Sequence, residues 1–120
     1  MNEVFSYRKL RVYQQSKCFV IYIYRLLKQF PQEEQYALCD QLRRAVISIP
    51  SNIAEGMGRT STKEQIRFIE IAFGSLCEVM CQLELACELR FIDNEQLSEA
   101  EEQVKAIAQM LSGLRNSKNH

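Results

Sequence analysis

The segment Gln41 to Gly56, QLRRAVISIPSNIAEG, keeps a helical pattern of apolar residues across a proline. The apolar positions follow the spacing i, i+4, i+7 and i+11 of one helix face, and they are Leu42, Val46, Ile49 and Ile53. Inside a helix, Pro50 removes an amide donor and clashes with the carbonyl four residues earlier. Because the apolar pattern continues beyond Pro50, the segment predicts a helix that is kinked at this residue and does not end there.

Polar side chains run along the same segment, and a later helix carries more of them at matching spacing. We call the whole set the polar strip, and its members are Arg43, Arg44, Ser48, Ser51, Asn52, Glu55, Ser75, Glu78 and Gln82. Polar groups on a core-building helix must find hydrogen-bond partners. The strip therefore predicts an assembly seam between subunits, with an internal polar network that fixes the helix register as the alternative.

The rest of the chain reads as further helices around this one. Pro31 followed by acidic residues suits a helix start, Ser61 to Glu64 reads as a capping box, and Asp93 or Asn94 suits an N-cap. We predict a single domain over residues 1–120, with helices at about 7–29, 32–55, 62–89 and 94–115 and a tail at 116–120. The short connections predict an all-α, antiparallel, up-down-up-down four-helix bundle.

The first helix contains an ambiguous segment, CFVIYIY at Cys18 to Tyr24. Its β-branched and aromatic residues favour a strand, but no turn interrupts residues 8–29 and no second strand-like segment could pair with it. A helix that is apolar on nearly every side must be covered on nearly every side. One bundle core cannot do this, so the pattern predicts an oligomer.

Charge is distributed unevenly in a chain whose net charge is zero. Residues 1–67 hold 11 Lys and Arg against 6 Asp and Glu, a net +5, whereas residues 68–120 hold 4 against 9, a net −5. This asymmetry indicates either a basic surface for RNA or complementary packing of basic and acidic helices. The candidate nucleic-acid contacts are Arg8, Lys9, Arg11, Lys17, Arg25 and Lys28. The alternative interpretation is that these residues form a solvated helix face that binds nothing.

No motif predicts catalysis or a cofactor. The single histidine is His120, no phosphate-binding or nucleophile motif occurs, and the ExxH spacing of di-metal bundles is missing. We expect Glu55, Glu64 and Glu78 to form salt bridges with nearby arginines, and we expect no metal and no enzymatic activity.

The cysteine pattern and the hydropathy together predict a cytoplasmic protein. Five cysteines without a CxxC motif read as small core residues, although Cys77 and Cys81 could supply two thiolates to one metal. The longest apolar run has seven residues, too short to cross a bilayer, and the N-terminal residues lack a secretory signal pattern.

Three stretches together resemble one known family: KLRVYQQSK, FPQEEQYALCDQLRRAVISIPSNIAEG and IAFGSLCEVMCQLELA. It is the four-helix bundle protein family, also called the 23S rRNA intervening sequence proteins. The resemblance implies a ring-like homopentamer of four-helix subunits without catalytic residues. A related branch, the accessory variability proteins of retroelements, implies basic pentamers that bind nucleic acid and a reverse transcriptase. This chain differs from that branch in having zero net charge.

Overall fold

The computed structural model describes residues 4–119, which form four α-helices and no strands. The helices are α1 (Arg11–Leu26), α2 (Leu38–Met57), α3 (Thr62–Glu88) and α4 (Asn94–Ser117). Short 3-10 segments lie at Ser6–Lys9, Leu27–Gln29 and Gln32–Glu34. The predicted all-α class with four helices is confirmed. Among residues 4–119, no helix is long and apolar enough to span a membrane.

The first two helices are shorter than predicted because 3-10 turns replace their outer turns. The sequence predicts a first helix at about 7–29, but regular α-helix covers Arg11–Leu26, and the flanking residues form tighter turns. It predicts that the second helix begins at about residue 32, yet residues Gln32–Glu34 form a separate 3-10 turn and α2 begins at Leu38. Acidic residues after a proline suit the first turn of an α-helix and of a 3-10 helix, so this pattern does not distinguish the two.

Helix α2 continues through Pro50, as the apolar pattern predicted. Leu42, Val46, Ile49 and Ile53 are all fully buried. The helix ends at Met57 with Gly58 as its C-cap, two residues beyond the predicted end at about residue 55. Gly56 is buried inside the last turn, where its missing side chain lets α3 approach closely.

Contacts between α2 and α3 progress in opposite chain directions. Gly56 packs on Phe68 at one end of the pair, and Gln41 lies beside Gln82 at the other. Both α1 and α3 make their main contacts with α2 and α4, and these helices enclose one apolar core. The described residues extend 47 × 22 × 21 Å. Since a helix of 27 residues such as α3 is about 40 Å long, α3 follows the long axis.

The last two helices begin at side-chain caps. At α3 the hydroxyl of Ser61 accepts a hydrogen bond from the amide of Glu64, which is one half of the predicted capping box. The Glu64 carboxylate lies beside Arg67 and does not supply the other half. At α4 the cap is a full capping box, in which Asp93 accepts from the amide of Gln96 and the Gln96 side chain accepts from the amide of Asp93. Helix α4 extends to Ser117, two residues into the predicted tail.

Several residues predicted for the core lie on the surface of the chain. Of the five cysteines, only Cys39 is buried, Cys87 is half-buried, and Cys18, Cys77 and Cys81 are exposed. Phe73, which shares the helical spacing of Ile69, Leu76 and Leu83 on α3, is also exposed, whereas those three residues are buried. The sequence identified apolar helix faces correctly but could not show which of them meet another helix of the same chain.

Candidate functional site

The centre of the polar strip is a hydrogen-bonded contact between α2 and α3. The hydroxyls of Ser48 and Ser75 share a hydrogen bond across the two helices. Ser75 also donates to the carbonyl of Ile71 at 3.2 Å, and the amide nitrogen of Asn52 donates to the carbonyl of Ser48 at 2.8 Å. The Ser48–Ser75 bond joins the two helices, whereas the other two bonds lie within α3 and α2. This cross-helix bond favours one register, as the alternative of an internal polar network requires.

Gln82 carries the second contact of the strip, and it leaves one buried atom without a partner. Its side chain is 6% exposed, and its amide nitrogen donates to Oε1 of Gln41 at 3.3 Å and to Oε2 of Glu78 at 3.2 Å. The Oε1 atom of Gln82 is buried and has no hydrogen-bond partner among the described residues. Such an atom costs free energy because it has lost its hydration without replacement.

Arg43 is held by groups of its own chain. It forms an ion pair with Asp40 at 3.0 Å and donates to the side chain of Gln35 at 2.7 Å and to the Gln35 carbonyl at 3.2 Å. Its guanidinium also lies 6.0 Å from the ring centroid of Tyr24 on α1. Arg43 therefore links α1, α2 and the segment between them, and three of its five N–H donors are used within the chain.

Three members of the strip remain on the outer surface of α2. Arg44 and Ser51 are exposed, and neither side chain has an ion pair or hydrogen bond to a described residue. Glu55 pairs with Arg59 at 2.9 Å. The predicted salt bridge of Glu55 with a nearby arginine is thus confirmed for Arg59, and Glu64 lies 3.9 Å from Arg67. The third carboxylate of that set, Glu78, bonds to Gln82 instead.

Two adjoining grooves run along the outer surface of α1 and α2. The first has a volume of about 520 Å³ and contains strip residues together with Tyr24 and Ile47. The second has a volume of about 410 Å³, lies between α1 and α2, and is mainly apolar. Its lining consists of Tyr13, Lys17, Val20, Ile21, Ile47, Pro50, Ser51 and Ala54. Ile47 and Ser51 line both grooves, so the polar strip and the apolar groove form one continuous surface.

The six basic residues predicted to contact nucleic acid are all exposed and extend along the first 28 residues. The guanidinium of Arg8 lies 4.9 Å from the ring centroid of Phe5, and the ammonium of Lys17 lies 5.0 Å from that of Tyr13. The remaining four, Lys9, Arg11, Arg25 and Lys28, form no ion pair with a described residue. They follow one helix and its flanking turns and do not converge on a pocket.

The chain supplies few groups for metal or acid–base chemistry. Among residues 4–119, no group of three or more His, Cys, Asp and Glu side chains could hold a metal ion. Burial raises the pKa of the Cys39 thiol, and burial together with the nearby Glu99 carboxylate raises the pKa of the Tyr22 hydroxyl. Neither residue belongs to the polar strip.

Sequence reasoning missed the residues that satisfy the strip from within the chain. Gln35, Asp40 and Gln41 are these partners. A signal was available for Gln41, because it precedes Ser48 by two helical turns on the same side of α2. No local signal marks Gln35, which lies in a connecting segment.

Comparisons with known proteins agree with the resemblance in the sequence. A family model described as "23S rRNA-intervening sequence protein" matches residues 8–113. A solved structure from Bacteroides thetaiotaomicron VPI-5482, described as a protein with unknown function from the S23 ribosomal protein family, is 25% identical with a TM-score of 0.80. The match covers 87% of this chain and 97% of that one. No curated protein matches this chain. Since the family model covers most of its length, this chain belongs to the 23S rRNA-intervening sequence protein family.

Proposed function

We propose that this protein is a non-enzymatic assembly module, a four-helix subunit that builds a ring-shaped homo-oligomer in the cytoplasm. The helices run up-down-up-down, and α2 is kinked at Pro50. The family resemblance supplies the number of subunits, which is five. The observation that carries the proposal is the continuous surface formed by the polar strip and the apolar groove between α1 and α2.

The up-down order is supported by contacts that pair opposite ends of successive helices. Gln41 near the start of α2 lies beside Gln82 near the end of α3. Glu70 near the start of α3 pairs with Arg115 near the end of α4 at 2.7 Å. Residues that approach in this way belong to helices running in opposite directions.

The exposed apolar side chains around the groove support assembly. Ile21, Tyr24 and Ile47 are all exposed, and they lie beside Pro50 and Val20 in the grooves of α1 and α2. A contiguous apolar patch with a polar rim is typical of an interaction surface, since monomers seldom leave one open to water. A partner subunit would remove these side chains from water and would give Arg44 and Ser51 polar partners.

Pro50 has a specific place in this proposal because it lines the apolar groove directly. A kink at this residue would shape the outer surface of α2 to fit a neighbouring subunit. We expect a crystal structure of the Pro50→Ala variant to show a straighter α2 and a changed oligomer. An unchanged helix axis together with an unchanged oligomer would show that Pro50 shapes neither α2 nor the assembly.

The non-enzymatic role is supported by how the strip uses its polar groups. The hydroxyls and amides at its centre bond to each other, and Arg43 is occupied by Asp40 and Gln35. Catalytic groups commonly carry shifted pKa values inside a cleft. The groups with raised pKa values, Tyr22 and Cys39, lie outside both grooves.

The proposal is tested by sedimentation velocity on variants of the apolar groove. Ile21→Glu combined with Ile47→Glu places two charges inside the buried interface and should shift the protein to monomer. Tyr36→Glu is the matched control, because Tyr36 is apolar and 88% exposed but lies outside both grooves. A wild-type chain that is monomeric at micromolar concentration would refute the proposal. So would a Tyr36→Glu oligomer that dissociates to the same extent as the Ile21→Glu, Ile47→Glu variant.

A second candidate function is RNA binding by the basic surface, favoured by the four cations without ion pairs. Lys9→Glu with Arg11→Glu should weaken binding to structured ribosomal RNA fragments and lower the slope of log K against log salt by about one per lost phosphate contact. Lys63→Glu, a charge change at the start of α3, is the control. An RNA affinity that is the same for the wild type and for the Lys9→Glu, Arg11→Glu variant would exclude this surface as the RNA site.

A further inference from the structure

The outer surface of α1 combines cations with exposed apolar side chains. Residues 4–32 contain no Asp or Glu, so no acid in this segment offsets its cations. Ile21 is 52% exposed, and Lys17 and Arg25 lie one helical turn before and after it. We call Lys17, Ile21, Tyr24 and Arg25 the basic face.

The outer surface of α3 has the same construction with the opposite charge. Residues 68–89 contain no Lys or Arg, and the exposed acids of this segment include Glu84 and Glu88. Leu85 is 47% exposed and Leu89 is 58% exposed, and both lie next to these carboxylates on the helix. We call Glu84, Leu85, Glu88 and Leu89 the acidic face.

One chain cannot bring these two faces together. Both α1 and α3 pack chiefly against α2 and α4, so the two helices lie on opposite sides of the core and their outer surfaces point apart. Each face is therefore left with exposed apolar area and uncompensated charge. A second copy of the same chain offers the complement to both.

We propose that the basic face of α1 in one subunit packs against the acidic face of α3 in the next subunit. This inference rests on the proposed assembly function and assigns its contact surfaces. The apolar residues Ile21, Tyr24, Leu85 and Leu89 lie in the centre of the contact, and opposite charges flank them. Complementary charge favours correct pairing and speeds association, while apolar burial supplies most of the affinity.

The contact is heterologous, since two different surfaces meet, and a joined pair of subunits still has one basic face and one acidic face free. Such contacts repeat from subunit to subunit and form a ring when the rotation closes. The arrangement agrees with the opposite net charges of the two parts of the chain, +5 and −5, because two cations of each basic face meet two carboxylates of a neighbour. It also assigns Lys17 and Arg25 to assembly and leaves them unavailable to RNA.

Charge reversal in the full-length protein tests the pairing. Lys17→Glu with Arg25→Glu makes both faces acidic, and Glu84→Lys with Glu88→Lys makes both basic. Each double variant should raise the concentration for half-assembly by about tenfold or more, because like charges then meet at every contact. The variant with all four substitutions restores opposite charges and should recover assembly. Lys63→Glu with Glu102→Lys is the matched control, with two exposed charges reversed away from both faces.

Native cysteines give a second readout of the same contact. Cys18 lies one turn before Ile21 on α1, Cys81 lies one turn before Leu85 on α3, and both are exposed. A short bis-maleimide should join Cys18 of one chain to Cys81 or Cys77 of another, and peptide mass spectrometry of the covalent dimer identifies the pair. Links confined to identical positions, such as Cys18 to Cys18, would show an isologous contact and overturn the inference.

The outcomes separate this inference from the function on which it rests. A wild-type monomer would refute the assembly function, and the inference would fail with it. An oligomer that withstands both double reversals would refute the pairing of faces and leave assembly intact. Reversal of Lys17 and Arg25 that abolishes RNA binding while the oligomer persists would assign the basic face to nucleic acid, against the inference.

Discussion

Gly56 on α2 lies directly against Phe68 on α3, so that a Cβ added to Gly56 would fall 2.7 Å from the Cβ of Phe68. This distance is shorter than real Cβ contacts, and rotation of the phenyl ring cannot relieve it because the Cβ atom is fixed to the backbone. The two helices approach closely at this glycine, and the contact leaves no room for a side chain at position 56.

Gly56→Ala should lower the free energy of unfolding by about 1–3 kcal/mol, the usual cost of overpacking a fitted contact. Urea unfolding measures the change. Gly113→Ala is the matched control, because a Cβ at that helical position meets nothing within 4 Å. There the substitution should stabilise the helix by up to about 1 kcal/mol. Equal effects at the two glycines would contradict the close contact.

Arg90 occupies the left-handed position that ends α3, with φ of 67°. The amide of Phe91 bonds to the carbonyl of Ala86 at 2.8 Å and that of Arg90 to the carbonyl of Cys87 at 3.0 Å, which together form a Schellman motif. Arg90→Gly should therefore raise the free energy of unfolding by about 0.5 kcal/mol, since glycine adopts this conformation without steric cost. Arg90→Ala removes the charge but keeps the Cβ, and it should give no such gain. If both variants stabilise equally, the effect comes from charge.

Gln82 is buried, and its side-chain carbonyl oxygen has no hydrogen-bond partner among the described residues. Burial of this oxygen without a partner lowers the free energy of unfolding of the single chain. Gln82→Met keeps the approximate volume and removes that oxygen, so thermal unfolding should show a stability equal to or about 1 kcal/mol above wild type. Gln82→Glu should destabilise, because a second carboxylate is then buried beside Glu78. A clear loss of stability in Gln82→Met would mean that the bonds to Gln41 and Glu78 are worth more than the buried oxygen costs.

The thiol of Cys39 gives the chain an alkaline dependence of stability. Its pKa is raised by burial, with Arg43 acting in the opposite direction and the carboxylates of Glu34 and Asp40 adding to the rise. The folded state then holds this proton more tightly than the unfolded state. The contribution to the free energy of unfolding is complete below the ordinary thiol pKa of 9.0 and is lost as the pH rises through the folded-state pKa.

Urea unfolding at pH 8 and pH 10.5 measures this loss. Cys39→Ala should show a smaller alkaline decline than wild type, whereas Cys81→Ala, which changes an exposed thiol, should show the same decline as wild type. An identical pH dependence in all three proteins would remove Cys39 as a cause.

The sequence predicted the elements with a strong helical period and missed what depends on distant partners. The fully buried stripe of Leu42, Val46, Ile49 and Ile53 follows from spacing alone. The start of α2 was wrong because the residues after Pro31 suit an α-helix and a 3-10 turn equally well. Element boundaries depend on packing that local patterns do not contain.

The candidate site shows the same division. Spacing predicted that Ser48 and Asn52 need hydrogen-bond partners, and the partner of Asn52 is the carbonyl of Ser48 one turn earlier on the same helix. Only the register of α2 against α3 identifies Ser75 as the partner of Ser48. Cys18 and Cys81 were assigned to the core because an apolar helical pattern is the same whether it faces its own chain or another. Their exposure in a single chain is the structural reason to look for a second one.

The mass of this chain in solution tests the account most directly. Native mass spectrometry, together with sedimentation velocity at micromolar concentration and physiological salt, should find a closed oligomer of five times the 14.0 kDa chain mass. The oligomer should dissociate in the Ile21→Glu, Ile47→Glu variant and persist in Tyr36→Glu. A single species of 14.0 kDa that stays unchanged as the concentration rises a hundredfold would contradict the assembly function and the surfaces assigned to it.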